Sequence, residues 1–199
     1  MPRKNRSYKK GGYFRDSYLL VIACEGAKRE KEYFEKLVWG SQRIKLKILS
    51  PEGPEIGNSS PKWVLDRAAK FDREFGLGKD DLLWMVMDKD RWDEKLLREI
   101  YQTVQQSKGW NLAISNPCFE VWLLMHYQDL DPQNPQSCSA LKKTLGATTP
   151  AGFDLNQLLD LTKVAIDRAK QLDLHHAHFL PQPMTTNIYL LIDHIRNHF

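Results

Sequence analysis

The stretch Leu82-Leu83-Trp84-Met85-Val86-Met87-Asp88-Lys89-Asp90 constrains the fold more than any other part of the chain. Its apolar run, bounded by acids, has the length of a strand and predicts one covered on both faces, as in a parallel sheet between layers of helices. At its end the chain turns from apolar to acidic within one residue. In an extended segment Asp88 and Asp90 project to the same side and Lys89 faces away between them. Open α/β sheets bind ligands beyond the carboxyl ends of their strands, and paired carboxylate oxygens suit a hard cation such as Mg²⁺. An isolated Asp-x-Asp serves equally well as a solvated turn that caps the next helix, so a second acid has to decide.

That acid is Glu25. Residues 18–24, Tyr-Leu-Leu-Val-Ile-Ala-Cys, form another continuous apolar run ending directly in Glu25, followed by Gly26. Gly26 permits a tight turn or a close backbone approach. A helix over 28–39 follows, with Tyr33, Phe34, Leu37 and Val38 on one face and the i,i+4 pairs Lys28–Glu32 and Lys31–Glu35 on the other. Residues 43–49 alternate Ile and Leu with Lys, which predicts a half-exposed strand near a sheet edge. After a Gly-, Pro- and Ser-rich loop over 50–61, a helix is expected over 63–75, ended by Gly76 and Gly78.

Asp93 is placed to cap a helix over 94–108 that Gly109 closes, and 110–115 reads as a fourth strand. Strand and helix alternate, which predicts the α/β class with a Rossmann-like parallel sheet flanked by helices. Asn116-Pro117 reads as the cap and first turn of a helix over 118–127. That helix is apolar nearly all round and should be buried. Its exceptions are His126 and Glu120, and a carboxylate in such surroundings needs either a basic partner or a metal.

Residues 129–152 read as a loop region with one short helix near 139–145, followed by amphipathic helices over 154–174 and 185–199. The expected organisation is a basic tail over 1–17, a catalytic core over 18–128 and a helical C-terminal extension over 129–199 packed on that core. His175, His176 and His178 invite a zinc reading, but without an accompanying cysteine they suit an exposed loop better. Cys24 and Cys118 sit in apolar surroundings and read as small core residues; with Cys138 the cysteines make no disulfide framework.

The net charge of +4 is local: Arg3, Lys4, Arg6, Lys9, Lys10 and Arg15 stand against Asp16, so the tail carries the excess and the rest is close to neutral. Such an arm suits phosphate backbones. No apolar run approaches a membrane span and the N-terminus lacks a signal-peptide core, so a cytoplasmic protein is expected. There is no Gly-rich dinucleotide loop, no P-loop and no Gly-x-Ser-x-Gly elbow.

Three motifs carry a family resemblance: Cys24-Glu25-Gly26 with Glu30, Tyr33 and Phe34; Asp88-Lys89-Asp90; and Ser115-Asn116-Pro117-Cys118-Phe119-Glu120-Val121-Trp122. A weaker match is Pro183-Met184-Thr185-Thr186-Asn187-Ile188. With these the chain resembles the RloB-like proteins, which carry a Toprim domain and include abortive-infection proteins of the AbiL type. The resemblance implies a Toprim-like sheet in which Asp88 and Asp90 hold Mg²⁺, or Mn²⁺ in its place, and Glu25 is a metal ligand or general acid/base. It implies further that Glu30 and Glu120 complete a second metal site.

The function expected on that basis is a metal-dependent nuclease cleaving RNA, tRNA included, or DNA in prokaryotic anti-phage defence, with an AAA- or ABC-type ATPase as partner. Lys28, Lys89 and Arg91 beside the acids, and the tail residues Arg3, Lys4, Arg6, Lys9 and Lys10, are the expected contacts to nucleic acid. A non-catalytic nucleic-acid-binding or regulatory module working with the ATPase is the alternative. A sugar transferase using Asp-x-Asp leaves Glu25 unexplained. The oligomeric state stays open, a homo-oligomer included.

Overall fold

The computed structural model describes residues 17–26, 28–38, 40–53, 60–149, 154–173 and 178–197. The basic tail, with Arg3, Lys4, Arg6, Lys9 and Lys10, lies outside these residues, as do His175 and His176; His178 is exposed.

The elements run β1 (Tyr18–Cys24), α1 (Arg29–Leu37), β2 (Ile44–Leu49), α2 (Pro61–Phe75), β3 (Leu82–Asp88), α3 (Glu94–Gln106), β4 (Trp110–Asn116), α4 (Glu120–Leu124), α5 (Cys138–Thr148), α6 (Leu155–Leu172), β5 (Thr185–Thr186) and α7 (Ile188–Arg196). The sheet order is β2-β1-β3-β4-β5. The first four strands are parallel, and β5 adds an antiparallel edge through Ser115 opposite Thr186. This is the mixed α/β arrangement of a Rossmann- or Toprim-like sheet. Among the described residues no helix is long and apolar enough to cross a membrane.

Alternation explains why β1 and β3 are apolar throughout. Leu20, Ile22, Cys24, Trp84 and Val86 face a large cluster built with α1, α4, α5, α6 and α7. Val21, Ala23, Leu83, Met85 and Met87 face a second cluster under α2 and α3. Both faces are dry, so neither strand has a side on which polar residues would be tolerated. β2, with its exposed lysines, takes the sheet edge as its pattern predicts.

Local chemistry sets the helix ends. Ser60 Oγ accepts from Lys62 N and Asp93 Oδ1 from Lys95 N, each satisfying an otherwise orphaned N–H. Gly76 closes α2 at φ 71°, and Gly109 precedes β4 at φ 78°, where a Cβ would lie 3.0 Å from the Asp81 carbonyl oxygen.

Two expectations are corrected. Asn116 does not cap a helix: it is the last residue of β4, its side chain donates to Pro181 O at 2.9 Å, and the Asn116–Pro117 bond is cis. The helix there begins at Glu120 and has five residues, Met125 to Tyr127 continuing as turns. Nor is 185–199 one helix. Thr185 and Thr186 pair with β4 instead, and Asn187 Oδ1 accepts from Ile114 N at 2.5 Å. The C-terminal extension thus supplies a strand as well as helices.

Candidate metal and phosphate cleft

β1 and β3 are neighbours in the sheet, although β2 and two helices separate them in sequence. From this pair the chain winds outward in opposite directions, to β2 on one side and to β4 on the other. Such a switch point opens a crevice at the carboxyl ends of the strands. Glu25 follows β1 and Asp88 ends β3, so the sheet register brings the two acids together: Glu25 N donates to Val86 O, and Glu25 Oε2 accepts from Asp88 N at 3.2 Å.

A cleft of about 490 Å³ opens there, lined by Glu25, Glu30, Asp88, Asp90 and Glu120 together with Lys28, Arg29 and Lys142. All five acids expected to act are therefore on one wall system, supplied by β1, α1, β3 and α4. Glu30 reaches the site from the first turn of α1, where its carboxylate folds back over Gly26 and accepts that residue's N–H at 3.1 Å. A Cβ on Gly26 would lie 2.1 Å from Glu30 Oε2, so the close approach that glycine permits is made by this carboxylate. Asp88 Oδ1 accepts from Phe119 N at 2.9 Å, which fastens the segment opening α4 to the end of β3.

Asp90 arrives differently from the strand alternation expected. β3 ends at Asp88; Asp90 lies in the following turn at φ 28°, with its N–H on Pro117 O at 2.7 Å. A left-handed aspartate is an uncommon conformation, held here by the turn around it. Cys138 Sγ lies 3.6 Å from Asp90 Oδ1.

Burial and crowding work against ionisation of Glu25, Asp88 and Glu30. Glu25 is pushed up to about 7, chiefly by burial, against hydrogen bonds from Asp88 N and Trp92 Nε1 and with the charges of Glu30 and Asp90 adding to the rise. Asp88 is raised well above the carboxylate range by burial and by Glu25, Glu30 and Glu120. Burial also raises Glu30, and Glu120 adds to it. Negative charge is concentrated where the protein provides too little to balance it.

The donor set fits a hard divalent cation, since every acid offers carboxylate oxygen and a bound cation would relieve the crowding. Among the described residues, however, no three acids, histidines or cysteines are drawn into a finished coordination group. Glu25, Glu30, Asp88 and Glu120 each give an oxygen to a protein donor.

The expected nucleic-acid contacts separate. Lys28 is on the cleft wall, 4.0 Å from Glu32. Lys89 turns back to donate to Trp92 O at 2.6 Å, and Arg91 lies over the Trp92 ring. Three residues of the site were not anticipated: Arg29, Lys142 and Trp92. Arg29 follows Lys28 directly and could have been noticed as its basic neighbour; Lys142 and Trp92 carry no local signal.

The family profile described as RloB-like protein matches residues 20–195. No curated protein and no solved structure matches the chain. That match takes in both acid-bearing strands, the cleft and the C-terminal strand and helix, and the chain belongs to the RloB-like family.

Proposed function

We propose that this protein is a Mg²⁺-dependent nuclease of the Toprim type that cleaves phosphodiester bonds in RNA or DNA and serves as an effector of anti-phage defence, acting with an AAA- or ABC-type ATPase. The observation that carries the reading is the convergence of Glu25, Glu30, Asp88, Asp90 and Glu120 with three basic residues on one cleft at the switch point of the sheet. Structural acids are dispersed or paired; five on one cleft, with Glu25, Glu30 and Asp88 raised in proton affinity, suit a bound cation and an anionic substrate.

In this reading Asp88 and Asp90 hold the ion, with Glu25 and Glu30 beside them. Mg²⁺ there supplies neutralisation of the acids and of the charge that develops on a phosphoryl group. The protein's own part is to orient and to hold protons. Asp88 N and Trp92 Nε1 fix the Glu25 carboxylate, which is either a ligand of the ion or, with its proton affinity near neutrality, the general acid/base. The Phe119 N–H fixes Asp88.

The test is cleavage of plasmid DNA and total tRNA by the wild type and by Asp88→Ala, with Mg²⁺, Mn²⁺ or EDTA, alone and with the ATPase. Metal-dependent cleavage absent from the variant is expected. A second reading, a non-catalytic nucleic-acid-binding module, draws support from the acids' existing bonds to protein donors. Retention of nucleic acid without cleavage under every condition would favour it.

A further inference from the structure

Arg29 Nη1 donates to Glu120 Oε1 at 2.9 Å, joining the first residue of α1 to the first residue of α4 across the cleft. The partners are unequally placed: the Glu120 side chain is 7% exposed and that of Arg29 50%. A carboxylate so enclosed requires a compensating charge, and Arg29 provides it. The Arg29 side chain meanwhile stays half exposed and lines the cleft. The bond to Glu120 uses Nη1, and further N–H donors lie in the same rigid plane, spaced to grip two oxygens of a phosphate.

A cleft lined by five acids repels a phosphodiester unless cations stand beside them. Lys28 and Lys142 share the wall, but Lys28 is far into solvent and beside Glu32, whereas Arg29 is anchored. The anchor is also tied to the metal-binding acids. Phe119, next to Glu120, donates its N–H to Asp88, so one short segment sets the spacing between Asp88 and the guanidinium.

We propose that Arg29 is the phosphate-binding residue of the cleft and that Glu120 is its positioning residue, holding the guanidinium toward the substrate and not ligating the divalent ion. The assignment of the phosphate to nucleic acid rests on the nuclease reading. The role of Glu120 differs from the second-metal-site role that the family resemblance implies for it.

The experiment uses the full chain and needs no turnover. Binding of fluorescent single-stranded RNA and DNA oligonucleotides is followed by anisotropy in EDTA, and Mn²⁺ binding by electron paramagnetic resonance on metal-free protein. Arg29→Gln and Glu120→Gln should each weaken oligonucleotide binding about tenfold, the scale of one charge-assisted bond, and change Mn²⁺ affinity far less than Asp88→Asn does. The double variant should be no worse than either single one, because the two residues act as a unit. Arg29→Lys should recover binding only in part, since lysine keeps the charge without the fork.

Loss of Mn²⁺ affinity in Glu120→Gln comparable to that in Asp88→Asn overturns the proposal. So does wild-type-like oligonucleotide binding by Arg29→Gln, or a wild type that binds neither oligonucleotide. Should Glu120→Gln fail to fold, Arg29→Gln decides alone, as its side chain is half exposed. A wild type that binds but never cleaves counts against the nuclease reading and leaves this comparison standing.

Discussion

Two groups of polar residues, one in the core and one at the carboxyl ends of the strands, are solved in opposite ways. In the first, Tyr33, Trp122 and His126 form a closed knot. His126 Nδ1 lies 3.0 Å from Trp122 O, a pure acceptor, so Nδ1 carries the proton and Nε2 accepts from the Tyr33 hydroxyl at 3.3 Å. The rings meet edge-on, and burial lowers His126 to about 4, so it stays neutral. In the second, the acid cleft, burial and mutual repulsion raise Glu25, Glu30 and Asp88, and the protein's donors only partly compensate. The knot pairs the Tyr33 hydroxyl with His126 and His126 with the Trp122 carbonyl, whereas the cleft holds crowded carboxylates that the protein's own donors leave partly uncompensated.

The comparison can be broken first at Asp88. Asp88→Asn should lower cleavage by about 10³-fold or more while leaving the melting temperature equal or higher, because it removes a repelled charge and keeps an oxygen for the Phe119 N–H. A large drop in melting temperature would make Asp88 a structural residue like those of the knot.

At the knot the expectation is reversed. Trp122 is fully buried, and Trp122→Ala should cost about 3–5 kcal/mol in denaturant unfolding. The gentler Tyr33→Phe leaves His126 Nε2 without its donor and should cost about 1–3 kcal/mol. Neither loss should be recovered by adding Mg²⁺ beyond what the wild type gains.

The pH response sharpens the contrast. Glu25 has a folded value raised from 4.5 to about 7, so its contribution to stability is fully present below 4.5 and is lost as pH rises through 7. His126 has a folded value depressed from 6.5 to about 4, so its contribution is present above 6.5 and is lost as pH falls through 4. The two windows overlap between pH 4.5 and 6.5, so in thermal melting in EDTA the two slopes offset each other there. Glu25→Gln should remove the falling component and uncover the rise with pH due to His126, and Mg²⁺ should raise the melting temperature most above pH 7, where Glu25 is ionised. A Mg²⁺ effect independent of pH would count against the acids as its ligands.

Much of this arrangement is legible without coordinates, for identifiable reasons. The runs 18–24 and 82–87 are apolar at every position, which only strands buried on both faces tolerate. Asp93 and Gly76 mark helix ends by chemistry that acts over three or four residues, and the alternating lysines of 43–49 mark the sheet edge. Each of these signals is local, so each survives in the order of residues.

What the sequence could not express is what depends on distant partners. Thr185 and Thr186 read as helix because nothing nearby says otherwise; they become a strand because β4 offers a free edge some 70 residues away, where Thr186 Oγ1 meets Ser115 Oγ. Asn116 reads as a cap because its local context is a cap's, yet Pro181 O claims its side chain.

The cleft divides in the same way. The order of residues determined that acids end two buried strands, since that requires only an apolar run and the residue after it. Tertiary structure alone decided that β1 and β3 are neighbours, that Glu30 folds back over Gly26, and that α4 and α5 bring Glu120 and Lys142 to the same wall. The physical reason is range. Burial pattern and capping act within a few residues, while charge balance in a site is set by whichever groups packing brings within a few ångströms, and Arg29 with Glu120 is the clearest case.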